Sequence, residues 1–168
     1  MHKFDFDDML VQCYALFRKY SAILHKWQRN FQYILIDEFQ DINKVQYEVI
    51  KMLALPENNL FVVGDDDQSI YGFRGSDPEF MQDMRKDFPN LTVIPLSYNY
   101  RSTEYIVGAA SRVIFHNEKR LKKQVMAFKE KGKSVHIQEV RDQAEESDYV
   151  ASEIAKKVQE GWNPGEIA

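Results

Sequence analysis

The chain has 168 residues, of which 44% are hydrophobic and 29% charged, and it carries a formal net charge of −4 at pH 7. These values are typical of a globular protein that can bury a core, so they exclude disordered and fibrous classes, and the negative charge argues against a nucleic-acid footprint over the whole surface. No apolar run approaches the roughly 20 residues that span a bilayer, and the N-terminus lacks a signal-peptide pattern, so we expect a cytoplasmic protein without membrane association.

The first half of the chain predicts a strand, a helix and a second strand. Apolar positions at helical spacing in the first 30 residues, without glycine or proline, predict one long amphipathic helix before them. A short apolar run over 33–36 predicts a strand buried on both faces. Asn43 and Gln46 form a capping-box pattern that begins the next helix, and the run over 60–63 predicts another buried strand. This βαβ unit implies a parallel sheet.

The second half continues the alternation. Ser76-Asp77-Pro78 marks a helix start, with proline at a tolerated first-turn position, and a third strand is predicted over 91–96. Ser102 is predicted to cap the following helix, after which a basic run leads into a loop. The segment 134–140 alternates like a strand, and 144–160 has the spacing of a helix. We therefore predict an α/β fold with a parallel sheet.

Two adjacent carboxylates, Asp37 and Glu38, follow the first predicted strand, where open parallel sheets place their ligands. Asp37 is suited to hold a magnesium ion. Glu38 is suited to orient or deprotonate a water that attacks a terminal phosphate. Alternatively, both acids only favour the N-terminus of the next helix. The residues alone leave these readings open.

The glycine-flanked segment 64–75 follows the second predicted strand. Its three successive acids lack the ligand spacing and closing glutamate of a calcium loop, so metal storage is not expected. Gln68 can donate and accept hydrogen bonds, which suits a sensor of a bound phosphate. Tyr71 and Phe73 offer flat faces for bases, and the neighbouring Arg74 offers a cation for the nucleic-acid backbone. The alternative is that both aromatic side chains belong to the core.

Arg101 lies in a third cluster, just before the predicted helix that Ser102 begins. Its permanently charged, fork-shaped guanidinium could bind a phosphate from the side opposite the metal, as arginine fingers do. A lone arginine can equally be a surface ion-pair partner. The residue type alone does not decide between these roles.

Taken in order, the three clusters resemble the superfamily 1 DNA helicases of the UvrD, Rep and PcrA group. Residues 37–41 resemble motif II, 64–75 motif III and 99–102 motif IV of that family. The resemblance implies a RecA-like motor fold that is incomplete here. Residues 1–90 would be the C-terminal half of the first motor domain, and 91–168 the beginning of the second.

The resemblance also implies ATP and Mg²⁺ as cofactors. It assigns a role to each residue expected near the nucleotide. Asp37 would serve the magnesium and Glu38 the hydrolytic water. Gln68 would contact the γ-phosphate and couple nucleotide state to the DNA site. Tyr100 would stack near the adenine, and Arg101 would be the γ-phosphate finger.

On the DNA side, the resemblance implies that Tyr71, Phe73 and Arg74 grip single-stranded DNA. The implied activity is an ATP-dependent helicase that moves 3′ to 5′. The lysine loop that cradles phosphates in this family is absent, since 132–134 lacks its glycine spacing, so we expect these residues alone to hydrolyse ATP poorly. The alternatives are a non-catalytic single-stranded DNA-binding or regulatory module and a piece of a helicase-nuclease subunit.

Overall fold

The computed structural model describes residues 3–77, 79–118 and 120–167, and only the backbone of Arg74. The predicted first-turn Pro78 lies outside the described residues. The helices are α1 (Phe6–Lys19), α2 (Ser21–Asn30), α3 (Lys44–Ala54), α4 (Glu79–Asp87), α5 (Glu104–Ile114) and α6 (Gln143–Gln159). The strands are β1 (Ile34–Ile36), β2 (Leu60–Val62), β3 (Tyr98–Asn99) and β4 (Met126–Ala127). Because β1 pairs with β2 and β3 with β4, both in parallel, the α/β prediction is confirmed.

The prediction of one long N-terminal helix is wrong, because the helix is interrupted at Tyr20. Asp5 begins α1 with a capping box in which its carboxylate accepts the backbone N–H of Asp8 at 2.7 Å. Tyr20 then leaves helical geometry, with φ −126° and ψ 88°, and α2 begins at the next residue. Apolar spacing continues across the break, so periodicity does not reveal it. The two helices contact each other, and both pack against α3.

The core lies between α3, α4 and the loop after β1. The capping box of Asn43 and Gln46 begins α3 as predicted, with both reciprocal hydrogen bonds formed. Tyr47 stacks on Phe80 with ring centroids 5.2 Å apart and donates its hydroxyl to Asp87 at 2.7 Å. The buried hydrophobic residues of this cluster are Phe39, Ile42, Tyr47, Ala54, Met84 and Phe88. The first half of the chain therefore has its own core.

The prediction that β1 and β2 are buried on both faces is wrong. Ile36 and Val62 pack against the core cluster, but Leu35 is 72% and Phe61 59% exposed on the opposite face. Successive side chains point to opposite faces of a strand, so one face needs a second layer to be buried. Within the described parts of the chain, that layer is missing.

Two of the predicted strands do not form. Residues 91–96 and 134–140 have no ladder hydrogen bonds among the described residues, and the pairing occurs instead between Tyr98–Asn99 and Met126–Ala127. Met126–Ala127 lies in a stretch predicted to be a loop. Alternating apolar residues indicate that a segment could form a strand, but they do not show whether a partner strand is present to pair with it. The predicted last helix, in contrast, is confirmed as α6.

The predicted cap at Ser102 is also wrong, because the residue before α5 is Thr103 and its side chain makes no capping hydrogen bond. The backbone N–H groups of Glu104 and Tyr105 instead donate to the carbonyls of residues 130 and 131, at 3.2 and 3.3 Å. Gly132 makes this approach possible: its φ is +71°, and a Cβ there would lie 2.6 Å from Cγ2 of Thr103. The backbone of residues 130–131 therefore accepts two of the N–H groups at the N-terminus of α5. None of the helices in the described residues is long and apolar enough to cross a membrane.

Candidate functional site

Asp37 and Glu38 lie at the carboxyl end of β1, and both are exposed. Oδ1 of Asp37 accepts the backbone N–H of Glu38 at 2.9 Å. Glu38 has φ 50° and ψ 44°, in the left-handed region that residues with a Cβ rarely adopt. The following Phe39 and Gln40 are buried, and the N–H of Phe39 donates to the carbonyl of Val63 beyond β2. The turn at Glu38 thus leaves two carboxylates at the surface directly beside the core.

The side chain of Gln40 joins the loop after β1 to the loop after β2. Its Nε2 donates to Oε2 of Glu38 at 2.7 Å, and its Oε1 accepts the backbone N–H of Asp65 at 2.9 Å. Gly64 allows this close approach, because a Cβ there would lie 2.9 Å from Oε1 of Gln40 and 3.2 Å from Cβ of Phe39. The two predicted clusters therefore meet through one buried amide.

Gln68 is connected to the same structure. Its Nε2 donates to Oδ2 of Asp65 at 2.8 Å, while Oδ1 of Asp65 accepts the backbone N–H of Asp67 at 3.0 Å. Together with the contacts of Gln40, these bonds form a series that runs from Glu38 through Gln40 and Asp65 to Gln68. The structure thus brings together two of the predicted catalytic residues, Glu38 and Gln68.

The acidic run of this loop is paired with the basic run of the second half. Arg120 binds Asp67 in a bidentate manner, with Nε 2.7 Å from Oδ1 and a terminal nitrogen 2.5 Å from Oδ2. Nζ of Lys123 lies 2.5 Å from Oδ1 of Asp66 and 3.1 Å from Oδ2 of Asp67, and it also contacts Asp65. Together Arg120 and Lys123 form a brace on the loop, which we call the basic brace.

The basic brace lowers the pKa values of two carboxyl groups in the loop. Burial by itself raises the pKa of Asp65 and of Asp67. Hydrogen bonds from Lys123 and Gln68 to Asp65, and from Arg120 and Lys123 to Asp67, outweigh it, so the pKa of each carboxyl lies below its usual value. Burial likewise works to lower the pKa of Lys123, yet its three acidic partners leave it raised. Asp65, Asp67 and Lys123 are therefore all charged at neutral pH.

The three successive aspartates do not provide a convincing metal centre. Their carboxylates can present oxygens within 4.8 Å of one another, which is close enough for a shared cation. However, Asp66 accepts the backbone N–H of Leu121 at 2.5 Å as well as the ammonium group of Lys123. Two cations, Arg120 and Lys123, therefore already lie against these three acids, and a metal ion at this position would have to compete with them.

The aromatic residues of the loop after β2 are exposed, and the possibility that they are core residues is wrong. Phe73 is 79% exposed and Tyr71 36%, and their ring centroids lie 6.0 Å apart. Gly75 ends this segment with φ +80°, a conformation suited to glycine. The side chain of Arg74 lies outside the described part of the structure. Both aromatic side chains thus lie at the surface next to the acidic loop.

The structure places Tyr100 and Arg101 in the second half of the chain. Asn99 organises this turn: its Oδ1 accepts the N–H of Arg101 at 3.0 Å and that of Ser102 at 2.8 Å. The ring of Tyr100 packs against Phe128 with centroids 4.9 Å apart. Arg101 is exposed, and the described hydrogen bonds of this turn connect it to its own half, not to Glu38. That Arg101 binds a phosphate from the side opposite the metal stays a prediction.

Three residues of this site were missed in the sequence, namely Gln40, Arg120 and Lys123. Gln40 lies within the segment 37–41, but its partner Asp65 is 25 positions away in sequence. Arg120 and Lys123 belong to a basic run for which the sequence predicts only a position before a loop. The complementary charge of that run and of the three aspartates is a signal that could have paired them.

Comparisons with known proteins show which family the chain resembles. The family described as "UvrD/REP helicase N-terminal domain" matches residues 1–89, and "UvrD-like helicase C-terminal domain" matches residues 94–168. The chain is 48% identical over 166 residues to YjcD of Bacillus subtilis (strain 168), which is named as a candidate ATP-dependent DNA helicase. It is 41% identical over 157 residues to the ATP-dependent DNA helicase PcrA of Staphylococcus aureus (strain Mu50), and 45% identical over 157 residues to DNA helicase II of Haemophilus influenzae.

These alignments cover nearly all of the chain but a small part of each relative. They include 99% of the chain for the Bacillus protein and 94% for the other two. The chain spans only 22% of the length of each of these relatives. The similarity therefore extends across both halves of the chain and concerns one region of much longer proteins.

Proposed function

The chain belongs to the UvrD/Rep family of helicases, and from this premise we propose that the complete polypeptide carrying it is an ATP-dependent DNA helicase. It would use ATP hydrolysis to move 3′ to 5′ along single-stranded DNA in the cytoplasm. Residues 1–90 and 91–168 would belong to the first and second RecA-like motor domains, neither contained completely. The two family matches, which cover residues 1–89 and 94–168, support this division. The exposed second face of the β1–β2 sheet supports the incompleteness of the first domain.

The observation that carries the proposal is the hydrogen-bonded series from Glu38 to Gln68 at the ends of two parallel strands. Ligands of open parallel sheets bind beyond the carboxyl ends of the strands. At this edge, the Glu38 carboxylate would orient and deprotonate the attacking water, and Gln68 would contact the γ-phosphate. One arrangement thus offers both a water-activating group and a phosphate sensor.

Asp37 fits the magnesium ion that such a reaction needs. It is an exposed carboxylate at the end of β1, and the hydrogen bond described for it occupies only Oδ1. Magnesium prefers oxygen ligands and retains several waters, so one exposed carboxylate oxygen is suitable for it. When bound, the ion would supply positive charge to the phosphate oxygens.

The DNA would lie against the exposed aromatic residues that continue the same loop. Tyr71 and Phe73 would stack on bases, and Arg74 would contact the backbone. Tyr100 would stack near the adenine, and Arg101 would contribute positive charge to the γ-phosphate from the second half. The loop after β2 would then connect the nucleotide site to the DNA site over a few residues.

These 168 residues by themselves would hydrolyse ATP poorly. The sequence contains no Gly-x-Gly-Lys loop, and therefore lacks the backbone amides and lysine that such loops direct at the phosphates. Much of the electrostatic stabilisation of the transferring phosphoryl group would be missing. An ATPase assay of these residues with single-stranded DNA tests this point, and turnover that depends on Glu38 would contradict it.

The test of the helicase proposal is DNA-stimulated ATP hydrolysis by the complete polypeptide. Glu38→Gln is expected to lower kcat by about a hundredfold or more, as expected for loss of a general base, while the exposed Glu57→Gln serves as the control. Direction is read from unwinding of duplexes with a 3′ or a 5′ tail. Unwinding only from 5′ tails would contradict the polarity.

Binding of single-stranded DNA without any turnover would instead favour a non-catalytic DNA-binding or regulatory module. The observation that supports this second function is the exposure of the neighbouring aromatic side chains of Tyr71 and Phe73. A helicase-nuclease subunit would be recognised by Glu38-dependent turnover together with DNA cleavage. The same preparation of protein distinguishes these three outcomes.

A further inference from the structure

We propose that Gln40 is a positioning residue for hydrolysis, which holds the carboxylate of Glu38 and ties its placement to the loop that carries Gln68. The inference rests on the proposed function, in which Glu38 activates the water. It assigns a role to a residue that makes no contact with nucleotide in that proposal. Gln40 would act only through Glu38.

The surroundings of Gln40 show that both ends of its amide are used. The residue is 2% exposed and is one of the largest completely buried side chains of the described residues. Its nitrogen donates to Glu38 at 2.7 Å, and its oxygen accepts the N–H of Asp65 at 2.9 Å. A buried amide that binds a charged group at one end and a backbone group at the other fixes the distance between them.

The chemistry of this position requires glutamine. Its amide supplies a donor and an acceptor at the end of one side chain. A glutamate at this position would keep the acceptor for Asp65 but place a second negative charge against Glu38. A methionine would keep the length and lose both hydrogen bonds. Gln40→Glu therefore tests the bond to Glu38 alone, whereas Gln40→Met tests the bonds to Glu38 and Asp65 together.

The contact makes Glu38 sensitive to the position of the loop. Gln68 donates to the side chain of Asp65, whose backbone N–H donates in turn to Gln40. A displacement of the loop that breaks the Asp65 bond frees Gln40, and the Glu38 carboxylate then loses its fixed partner. Because Phe73 belongs to the same loop, bound DNA would influence the water-activating group through this path.

The first experiment measures hydrolysis by the complete polypeptide carrying Gln40→Met, with the exposed Gln82→Met as the matched control. Gln40→Met is expected to lower the DNA-stimulated kcat about 10- to 100-fold, as expected for a misplaced catalytic group, while KM for ATP stays within about twofold. In a Glu38→Gln background it should cause almost no further loss. Additive losses in this cycle would show that Gln40 acts independently of Glu38 and would overturn the inference.

The second experiment uses hydrogen exchange and does not depend on activity. The amide of Asp65 should exchange faster in Gln40→Met than in the wild type or Gln82→Met. In Gln40→Glu it should remain protected, because the acceptor is kept, while kcat still falls. Unchanged protection of Asp65 in Gln40→Met would refute the contact, even if that variant loses activity.

Failure of the proposed function is distinguishable from failure of the inference. If the wild-type polypeptide shows no ATP hydrolysis, the helicase proposal and the positioning role fall together, although the exchange result can still establish the contact. If the wild type is active and Gln40→Glu retains full kcat, only the positioning role is wrong. Should Gln40→Met fail to fold, Gln40→Glu, which keeps the volume and the acceptor, decides the question.

Discussion

Lys123 of the second half lies with its ammonium nitrogen 2.5 Å from Oδ1 of Asp66, a carboxylate whose side chain is only 4% exposed. The neighbouring Lys122 is exposed. An acid so deeply buried requires a counter-charge, because removing one partner of a buried ion pair is strongly destabilising. The ammonium group of Lys123 therefore connects the two halves of the chain through a contact that water screens only weakly.

Lys123→Met is expected to destabilise the protein by about 2 kcal/mol. The value is lower than that for a fully buried pair, because Lys123 is partly exposed and Arg120 remains. Chemical unfolding of the complete polypeptide measures the loss, with Lys122→Met as the control. Equal stability of the two variants would show that the basic brace contributes little.

The basic brace should also have a defined pH dependence. The pKa values of Asp65 and Asp67 are lowered in the folded protein, so these groups stabilise it above the usual pKa of about 3.9, and the contribution disappears as the pH falls through their lower folded values. The difference in unfolding free energy between wild type and Asp67→Asn should thus be constant from about pH 7 to pH 5 and shrink below about pH 4. A difference that already declines near pH 6 would contradict this account.

Phe73→Ala is expected to weaken binding of single-stranded DNA about tenfold to a hundredfold, since stacking on one base contributes about 1–3 kcal/mol. Phe115→Ala is a matched control, because Phe115 and Phe73 are both 79% exposed. Fluorescence titration with a labelled oligonucleotide measures both affinities. The same affinity for the two variants would exclude Phe73 from the DNA site.

Gly64→Ala tests how closely the two loops must approach. The added Cβ would lie 2.9 Å from Oε1 of Gln40, whereas a Cβ at Gly72 would have nothing within 4 Å. Gly64→Ala should destabilise the protein by about 1–3 kcal/mol, as overpacking does, and reduce ATP turnover. Gly72→Ala should do neither. Thermal unfolding and the ATPase assay provide the comparison, and similar behaviour of both variants would argue that Gln40 can move without cost.

The sequence predicted the features whose signals are local. The capping box that begins α3 lies within four residues, and periodicity over many residues predicted α6. The break at Tyr20 affects one residue and leaves the apolar spacing intact, so it was missed. The strand predicted over 91–96 requires a partner that the pattern does not identify.

In the candidate site, too, the residues with local sequence signals were predictable, whereas the contacts between distant residues were not. Asp37 and Glu38 could be found because they follow an apolar run directly. The bond between Gln40 and Asp65 joins residues 25 positions apart, and the pairing of Lys123 with Asp66 joins residues 57 positions apart. Such contacts depend on how the loops approach each other in space. Charge complementarity between the acidic and the basic run is a sequence signal for the second of these contacts, but it does not specify which residues pair.

At position 38, the left-handed backbone conformation favours one residue type for stability, whereas the proposed chemistry requires another. With φ 50°, a residue that carries a Cβ costs about 1–2 kcal/mol, a cost that glycine avoids and asparagine reduces. A library randomised at this position and selected only for thermal stability should therefore enrich glycine or asparagine and lose ATP turnover in the same step. Selection for turnover should restore glutamate at the expense of melting temperature, so that no single residue is optimal under both conditions.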